Sequence, residues 1–299
     1  MKRKAIIITG PTGSGKSDLA IQIGLKNNGV IINADSMQIY KQIPIISAQP
    51  SLEDKERIEH FLYGFIDIKN TSHIYSVGDY LQDLKRVLDD ILKTNKTPII
   101  VGGTMLYIQS IANGLNEIDN IPDNIKQEIR NKYLNKSANE LFEELQNIDE
   151  KYSKIVDKNN THRLLRGLEV KIATNRSIVD FWNDKKNNVF DELFEFEKYV
   201  IDMPRDILYD RINSRFDKMV QNGAVEEVRQ LFNECIKDNI DLYKLPKAIG
   251  LYELFKYFQN ELSLQDAIEK SKQFSRNYAK RQMTWFRNKL DDGFIKIKL

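Results

Sequence analysis

Unbroken apolar runs stand at Ala5-Ile6-Ile7-Ile8, Val30-Ile31-Ile32 and Pro98-Ile99-Ile100-Val101. A strand with one wet face alternates apolar and polar residues, so these runs predict strands buried on both faces of a parallel sheet. Between the first two runs, Leu19, Ala20 and Ile23 recur at helical spacing from Lys16 until Gly29. Strand, helix and strand in that order predict a βαβ unit. Ligands of such sheets gather at the carboxyl ends of the strands. Gly10 to Ser17, Asp35 and Thr104 each follow a strand end and are therefore expected as neighbours.

From Asn116 the chain turns rich in Asn, Lys, Glu and Asp, and Leu141, Phe142 and Leu145 repeat at helical spacing. This predicts a helical insertion over 116–198, flanked by a core of 1–115 and 199–299. Tyr199-Val200-Ile201 reads as a return to the sheet, and Pro204 as the start of a helix through Met219, with further helices to about Leu290. No internal repeat or low-complexity tract interrupts this order.

Charge changes the picture little at the level of the whole chain. Forty-five Lys and Arg against forty-three Asp and Glu leave a net charge of +2 over 299 residues, so any polyanion must meet a local concentration of cations. One cysteine, Cys235, and three histidines make an internal disulfide impossible and a structural zinc site unfavoured. No apolar run approaches the roughly 18 residues of a membrane span. The four apolar residues after Met1-Lys2-Arg3-Lys4 are too short for a secretory core. A cytoplasmic location with no membrane partner is the expectation.

Chemistry first becomes specific at Gly10-Pro11-Thr12-Gly13-Ser14-Gly15-Lys16-Ser17, which matches G-x-x-x-x-G-K-[ST] between a strand and a helix. Glycines let the backbone wrap so that N–H groups point inward at a phosphate, and the next helix adds its positive end. Lys16 supplies a cation and Ser17 a hydroxyl for Mg2+. The motif predicts an α/β fold with a P-loop NTPase-like parallel sheet flanked by helices, a helical insertion and a helical C-terminal region. No apolar strand ends directly in the aspartate that motor and switch NTPases place on their metal, since Asp35 follows Asn33 and Ala34.

Three further segments, with that loop, carry a resemblance: Asp35-Ser36-Met37-Gln38-Ile39-Tyr40, Gly102-Gly103-Thr104-Met105-Leu106-Tyr107 and Lys280-Arg281-Gln282-Met283-Thr284-Trp285-Phe286-Arg287. In order and spacing they resemble the bacterial tRNA dimethylallyltransferases of the IPP transferase family, from residue 5 to about 290. The resemblance implies transfer of a dimethylallyl group from dimethylallyl diphosphate to N6 of adenosine 37 in tRNAs reading UNN codons. It implies that Gly10, Thr12, Gly13, Ser14, Gly15, Lys16, Ser17 and Arg215 bind the diphosphate, with Mg2+ on Ser17. Asp35 matches the general base, Thr104 a threonine beside the substrate channel, and Lys16 the cation facing the leaving group. Arg211 and Arg215, one helical turn apart, match arginines near the diphosphate.

Contacts to tRNA follow by the same matching. They fall on Asp35, Ser36, Met37, Gln38 and Thr104, on Lys126, His162, Arg163 and Arg166 of the insertion, on Lys247 and Gly250, and on Arg276, Lys280 and Arg281. Residues 271–290 hold Lys272, Arg276, Lys280, Arg281, Arg287 and Lys289 and no acid, with Tyr278, Trp285 and Phe286 between them. That composition suits phosphate contacts, although Trp285 suits core packing better than base stacking. Gln49 and Leu251 depart from the family's pattern, which has lysine and tyrosine there. A monomer is expected. The competing readings are an isopentenyltransferase for free adenine nucleotide, a P-loop small-molecule kinase and a catalytically silent RNA-binding protein. The insertion and the basic stretch favour an RNA acceptor over a mononucleotide.

Overall fold

A computed structural model describes residues 2–71, 75–115, 118, 121–133, 136–183 and 188–298. They form two compact units, Met1–Ala112 with Val189–Leu299, and Asn113–Asn188. The expected boundary at Asn116 lies outside the described residues.

In chain order the first unit begins with β1 (Arg3–Thr9), α1 (Lys16–Lys26), β2 (Gly29–Asn33), α2 (Leu52–Arg57), β3 (His60–Phe61), α3 (Val77–Ile91), β4 (Thr97–Gly102) and α4 (Met105–Asn113). The second unit carries α5 (Asp123–Tyr133), α6 (Ala138–Ile148), α7 (Glu150–Ser153), α8 (Thr161–Thr174) and α9 (Ile178–Asn183). The first unit then resumes with α10 (Val189–Leu193), β5 (Phe194–Asp202), α11 (Arg205–Gln221), α12 (Ala224–Lys237), α13 (Leu251–Phe258), α14 (Leu264–Lys289) and β6 (Phe294–Lys298).

The six strands lie in the order β3-β2-β4-β1-β5-β6, every neighbouring pair parallel. Ile6, Ile7 and Ile8 of β1 are buried, and opposite them Ile99, Ile100 and Val101 of β4 are buried too, because helices cover both sheet faces. One layer packs Ile7, Val30 and Ile100 against Tyr80, Leu84, Leu88 and Ile91, the inward stripe of α3, whose start is closed by a capping box between Ser76 and Asp79. The opposite layer packs Ile6, Ile8, Ile31 and Ile99 against Ala20 and Ile21 of α1. Helices α12, α13 and the start of α14 share a separate core with residues 39–46. The insertion has its own core around Leu141, Leu145, Leu164, Leu168 and Phe181. Among the described residues no helix is long and apolar enough to cross a membrane.

Strand β5 begins at Phe194 rather than Tyr199, and α10 before it also belongs to the first unit. Phe194-Glu195-Phe196-Glu197 alternates aromatic and charged residues, with only Phe194 buried, so its first half lacks the apolar run that marks β1 and β4. β3 and β6 carry no such apolar run either. One has two residues, and the other, Phe294-Ile295-Lys296-Ile297-Lys298, is an edge strand with mostly exposed side chains.

Candidate active site

The carboxyl ends of β1, β2 and β4 open onto a cleft of about 620 Å3. Thr12, Gly13, Gly15, Lys16 and Ser17 line it from the loop after β1; Asp35, Met37 and Gln38 line it from the turn after β2. Arg211 and Arg215 of α11 complete the wall with Tyr63 and Tyr278.

The loop has the conformation an anion cradle requires. Gly13 and Gly15 have φ of 82° and 87°, in the left-handed region that a side chain resists. Gly13 also abuts Ile212, since an added Cβ would fall 2.8 Å from Ile212 Cγ1. Lys16 Nζ donates to Pro11 O at 3.3 Å, and Arg211 Nη1 to Ser14 O at 3.4 Å. Arg215 Nη2 donates to Thr12 Oγ1 at 2.6 Å.

Burial pushes the Lys16 ammonium down to about 8, against the opposing pull of Asp35 and with help from the Arg215 charge. Burial likewise lowers Arg215, with Asp35 again opposing. Neither cation is ion-paired to a carboxylate among the described residues. Two desolvated cations beside a ring of backbone N–H groups are complementary to a multiply charged anion. Ser14 Oγ is buried there without a hydrogen-bond partner, a polar atom suited to an anion oxygen.

The donor set also fits a divalent cation held jointly with such an anion. Ser17, which carries a hydroxyl, is exposed at the first turn of α1. Among the described residues no three His, Cys, Asp or Glu side chains cluster as a metal cage, so anion oxygens and water would supply the other ligands, as is usual for Mg2+.

Asp35 is held by its neighbours. Its N–H donates to Asn33 Oδ1 at 2.8 Å, while Asn33 Nδ2 donates to Asp35 O and Leu62 O. Met37 N donates to Asp35 Oδ1 at 3.0 Å. Thr104 Oγ1 accepts from Ser36 N at 2.8 Å and donates to Ser36 Oγ at 3.2 Å, joining the turns after β2 and β4. Gly102 lets them meet, since a Cβ there would lie 2.1 Å from the Ala34 carbonyl. Burial first, then the Asp35 charge, raises the hydroxyls of Tyr63 and Tyr278, which stay neutral.

Residues 46–50 form another wall. Glu227 Oε1 and Oε2 accept from Ile46 N and Ile45 N, and burial raises its carboxyl against those two bonds. Gln38 Nε2 donates to Ser47 O and Ala48 O, so this amide braces the wall. Gln49, one of the departures, donates to Tyr40 O at 2.7 Å.

Other expected contacts divide by exposure. Lys280 and Arg281 are exposed on α14, Lys247 is exposed before α13, and Arg276 donates to Asn213 Oδ1 at 2.6 Å. Lys272 belongs elsewhere: its ammonium pairs with Asp217 and Glu269, and its side chain is 11% exposed. Gly250 is buried against Ile46 and Phe216 and starts α13 at φ 95°, with its N–H on Glu253, so it serves as a helix start rather than an open contact. Trp285 packs on the core, as its pattern predicts. In the insertion, Lys126 is half-buried on α5, and His162 and Arg163 are exposed in the first turn of α8. Arg166 pairs with the buried Glu169, which also holds Arg130.

Sequence reasoning missed Gln282 as an individual. It is fully buried, accepts from Thr12 N at 2.8 Å and donates to Gly103 O at 2.7 Å. Its only sequence signal was membership of the Arg-Gln-x-Thr-Trp segment.

A wholly parallel sheet, a glycine-rich loop after its first strand and a carboxylate after its second define a P-loop-like α/β protein. The family model for IPP transferase matches residues 38–289. Curated relatives include the tRNA dimethylallyltransferases of Agrobacterium fabrum, 37% identical over 98% of this chain and 96% of the relative, and of Ehrlichia canis, 39% identical over 96% and 93%. The full-length tRNA isopentenylpyrophosphate transferase of Bacillus halodurans superposes with a TM-score of 0.67 at 30% identity, covering 99% of this chain and 90% of that one. A eukaryotic dimethylallyltransferase acting on tRNA gives 0.82 at 27% identity, covering 99% and 74%. The chain belongs to the IPP transferase family.

Proposed function

We propose that this chain is a prenyltransferase that moves the dimethylallyl group of dimethylallyl diphosphate to N6 of adenosine 37 in tRNAs reading UNN codons. The observation that carries the reading is one cleft in which two desolvated cations, Lys16 and Arg215, share the electrostatic field of the half-buried carboxylate Asp35. Its relatives' activity on tRNA supports the acceptor.

N6 attacks the allylic carbon as the carbon–oxygen bond to the diphosphate breaks. The bonding pair leaves with the diphosphate, and the N6 proton passes to Asp35 Oδ2. An aromatic amine is a weak nucleophile, so proton removal by Asp35 contributes about 10²–10⁴-fold. Lys16, Arg215 and the loop N–H groups meet the charge that builds on the leaving group. Ser17 would hold a Mg2+ ion, which would supply further neutralisation of that charge. Thr104 fixes Ser36, and with it the turn that carries Asp35.

The adenine must swing out of its stack to reach Asp35, at a cost of a few kcal/mol that backbone contacts offset. Lys280, Arg281, Arg276 and Lys247, with Met37, Gln38, Lys126, His162, Arg163 and Arg166, are assigned to the anticodon stem-loop. The family likeness supports a monomer working in the cytoplasm.

The test incubates the protein with labelled dimethylallyl diphosphate, Mg2+ and either unmodified tRNA or AMP. Label is expected on tRNA alone, at the adenosine beside the anticodon. Label on AMP alone would assign the acceptor to free nucleotide, and phosphate transfer from ATP would overturn the reading.

A further inference from the structure

Fully buried glutamines are uncommon, and one retained in a packed interior has its amide engaged. Gln282 is 0% exposed, on the inner side of α14 whose outer side carries Lys280 and Arg281. Its two hydrogen bonds reach residues 270 and 179 positions away in the chain. Oε1 accepts a hydrogen bond from the N–H of Thr12, in the cradle; Nε2 donates one to the carbonyl of Gly103, in the turn after β4. Gly103 is shaped for this contact, since a Cβ there would lie 2.5 Å from Gln282 Nε2.

The chain of contacts continues from both ends. Thr12 is gripped again through its hydroxyl by Arg215. Gly103 is followed by Thr104, which binds Ser36 beside Asp35. One amide thus spans the loop that faces the leaving group and the turn that sets the base.

We infer, resting on the prenyl-transfer reading above, that Gln282 is a positioning residue that fixes the distance between the diphosphate cradle and the Asp35 turn. Attack and departure occur on opposite sides of one carbon, so this distance governs alignment. A displacement of about 1 Å in such a geometry costs about 100-fold in rate. A glutamine that only filled the core would instead affect folding and leave the cradle's affinity unchanged.

Two variants of the full chain separate these roles. Gln282→Leu removes both bonds at similar volume. It is expected to lower kcat at saturating tRNA and donor by about 100-fold and to weaken binding of inorganic diphosphate, measured by calorimetry, while tRNA affinity stays within about twofold. Gln282→Glu keeps the acceptor for Thr12 but, when ionised, turns an oxygen on Gly103 O. Its kcat relative to the unsubstituted protein is expected to rise as pH falls and the carboxyl regains a proton for that carbonyl.

Unchanged kcat and diphosphate affinity in Gln282→Leu would overturn the inference, as would losses of kcat and tRNA affinity by the same factor. If Gln282→Leu does not fold, the glutamate variant decides, and a ratio that stays flat with pH would refute the positioning role. Failure of the unsubstituted protein to prenylate tRNA would remove the functional reading, whereas diphosphate affinity in the variants tests the hold of Gln282 on the cradle separately.

Discussion

Raising the pH from about 7 to about 9 is expected to weaken dimethylallyl diphosphate binding roughly tenfold through Lys16. Its ammonium titrates near 8 in the unliganded cleft, so about one tenth stays charged one unit higher. The bound diphosphate is a stronger partner than Asp35 and moves that value back toward the ordinary 10.5. Binding above 8 must therefore carry a proton back onto Lys16, at about 1.4 kcal/mol per pH unit. The sign is fixed by which form binds: affinity is full below 8 and falls as pH climbs through 8 toward the bound value. Calorimetry in buffers of different ionisation enthalpy measures both quantities, and uptake near one proton is expected at the upper pH against almost none at neutrality. Lys16→Met should bind more weakly throughout and without the slope. Arg215 stays charged over the whole range and adds no slope of its own. A slope that persists in Lys16→Met, or a flat profile in the unsubstituted protein, would refute the reasoning.

Asp35→Asn keeps the turn's shape but has no basic oxygen, so turnover is expected to drop about 10²–10⁴-fold with diphosphate affinity preserved, read by single-turnover kinetics beside calorimetry. Gly102→Ala places a carbon on the Ala34 carbonyl and should destabilise the protein by about 3 kcal/mol or more, visible in urea denaturation; stability equal to the parent would contradict the close approach of β2 and β4. Charge removal at Lys280 or Arg281 should weaken tRNA binding and reduce its salt slope by about 1 for each phosphate that is no longer neutralised. Lys272→Met should leave the slope unchanged, because that ammonium is already neutralised by Asp217 and Glu269.

The readable parts of this chain are those in which one local rule decides the structure. β1, β2 and β4 declare themselves because burial on both faces demands continuous apolar residues, and the topology rule then brings Asp35 and Thr104 beside the glycine loop. Phe194 to Glu197 escaped for the converse reason: half-wet strands share their composition with amphipathic helices. Lys272 shows the limit of charge counting, since an acid-free stretch of one helix says nothing of Asp217 on α11 packed beside it. Gln282 shows the limit of motif reading, because its meaning lies in two backbone groups that only the folded chain brings together.

Because β1 lies between β4 and β5, its two hydrogen-bonding edges are completed at very different moments of synthesis. Roughly ninety residues, including the whole insertion, separate the end of β4 from the start of β5. At common translation speeds of about 5–20 residues per second, the ribosome needs roughly 5 to 20 seconds to make them. Through that interval the nascent sheet offers an open edge of Ile6, Ile7 and Ile8, while the intervening helices have a core of their own to collapse around. A pause or truncation between these points would leave the most apolar strand of the chain exposed, and it is there that chaperones would find this protein.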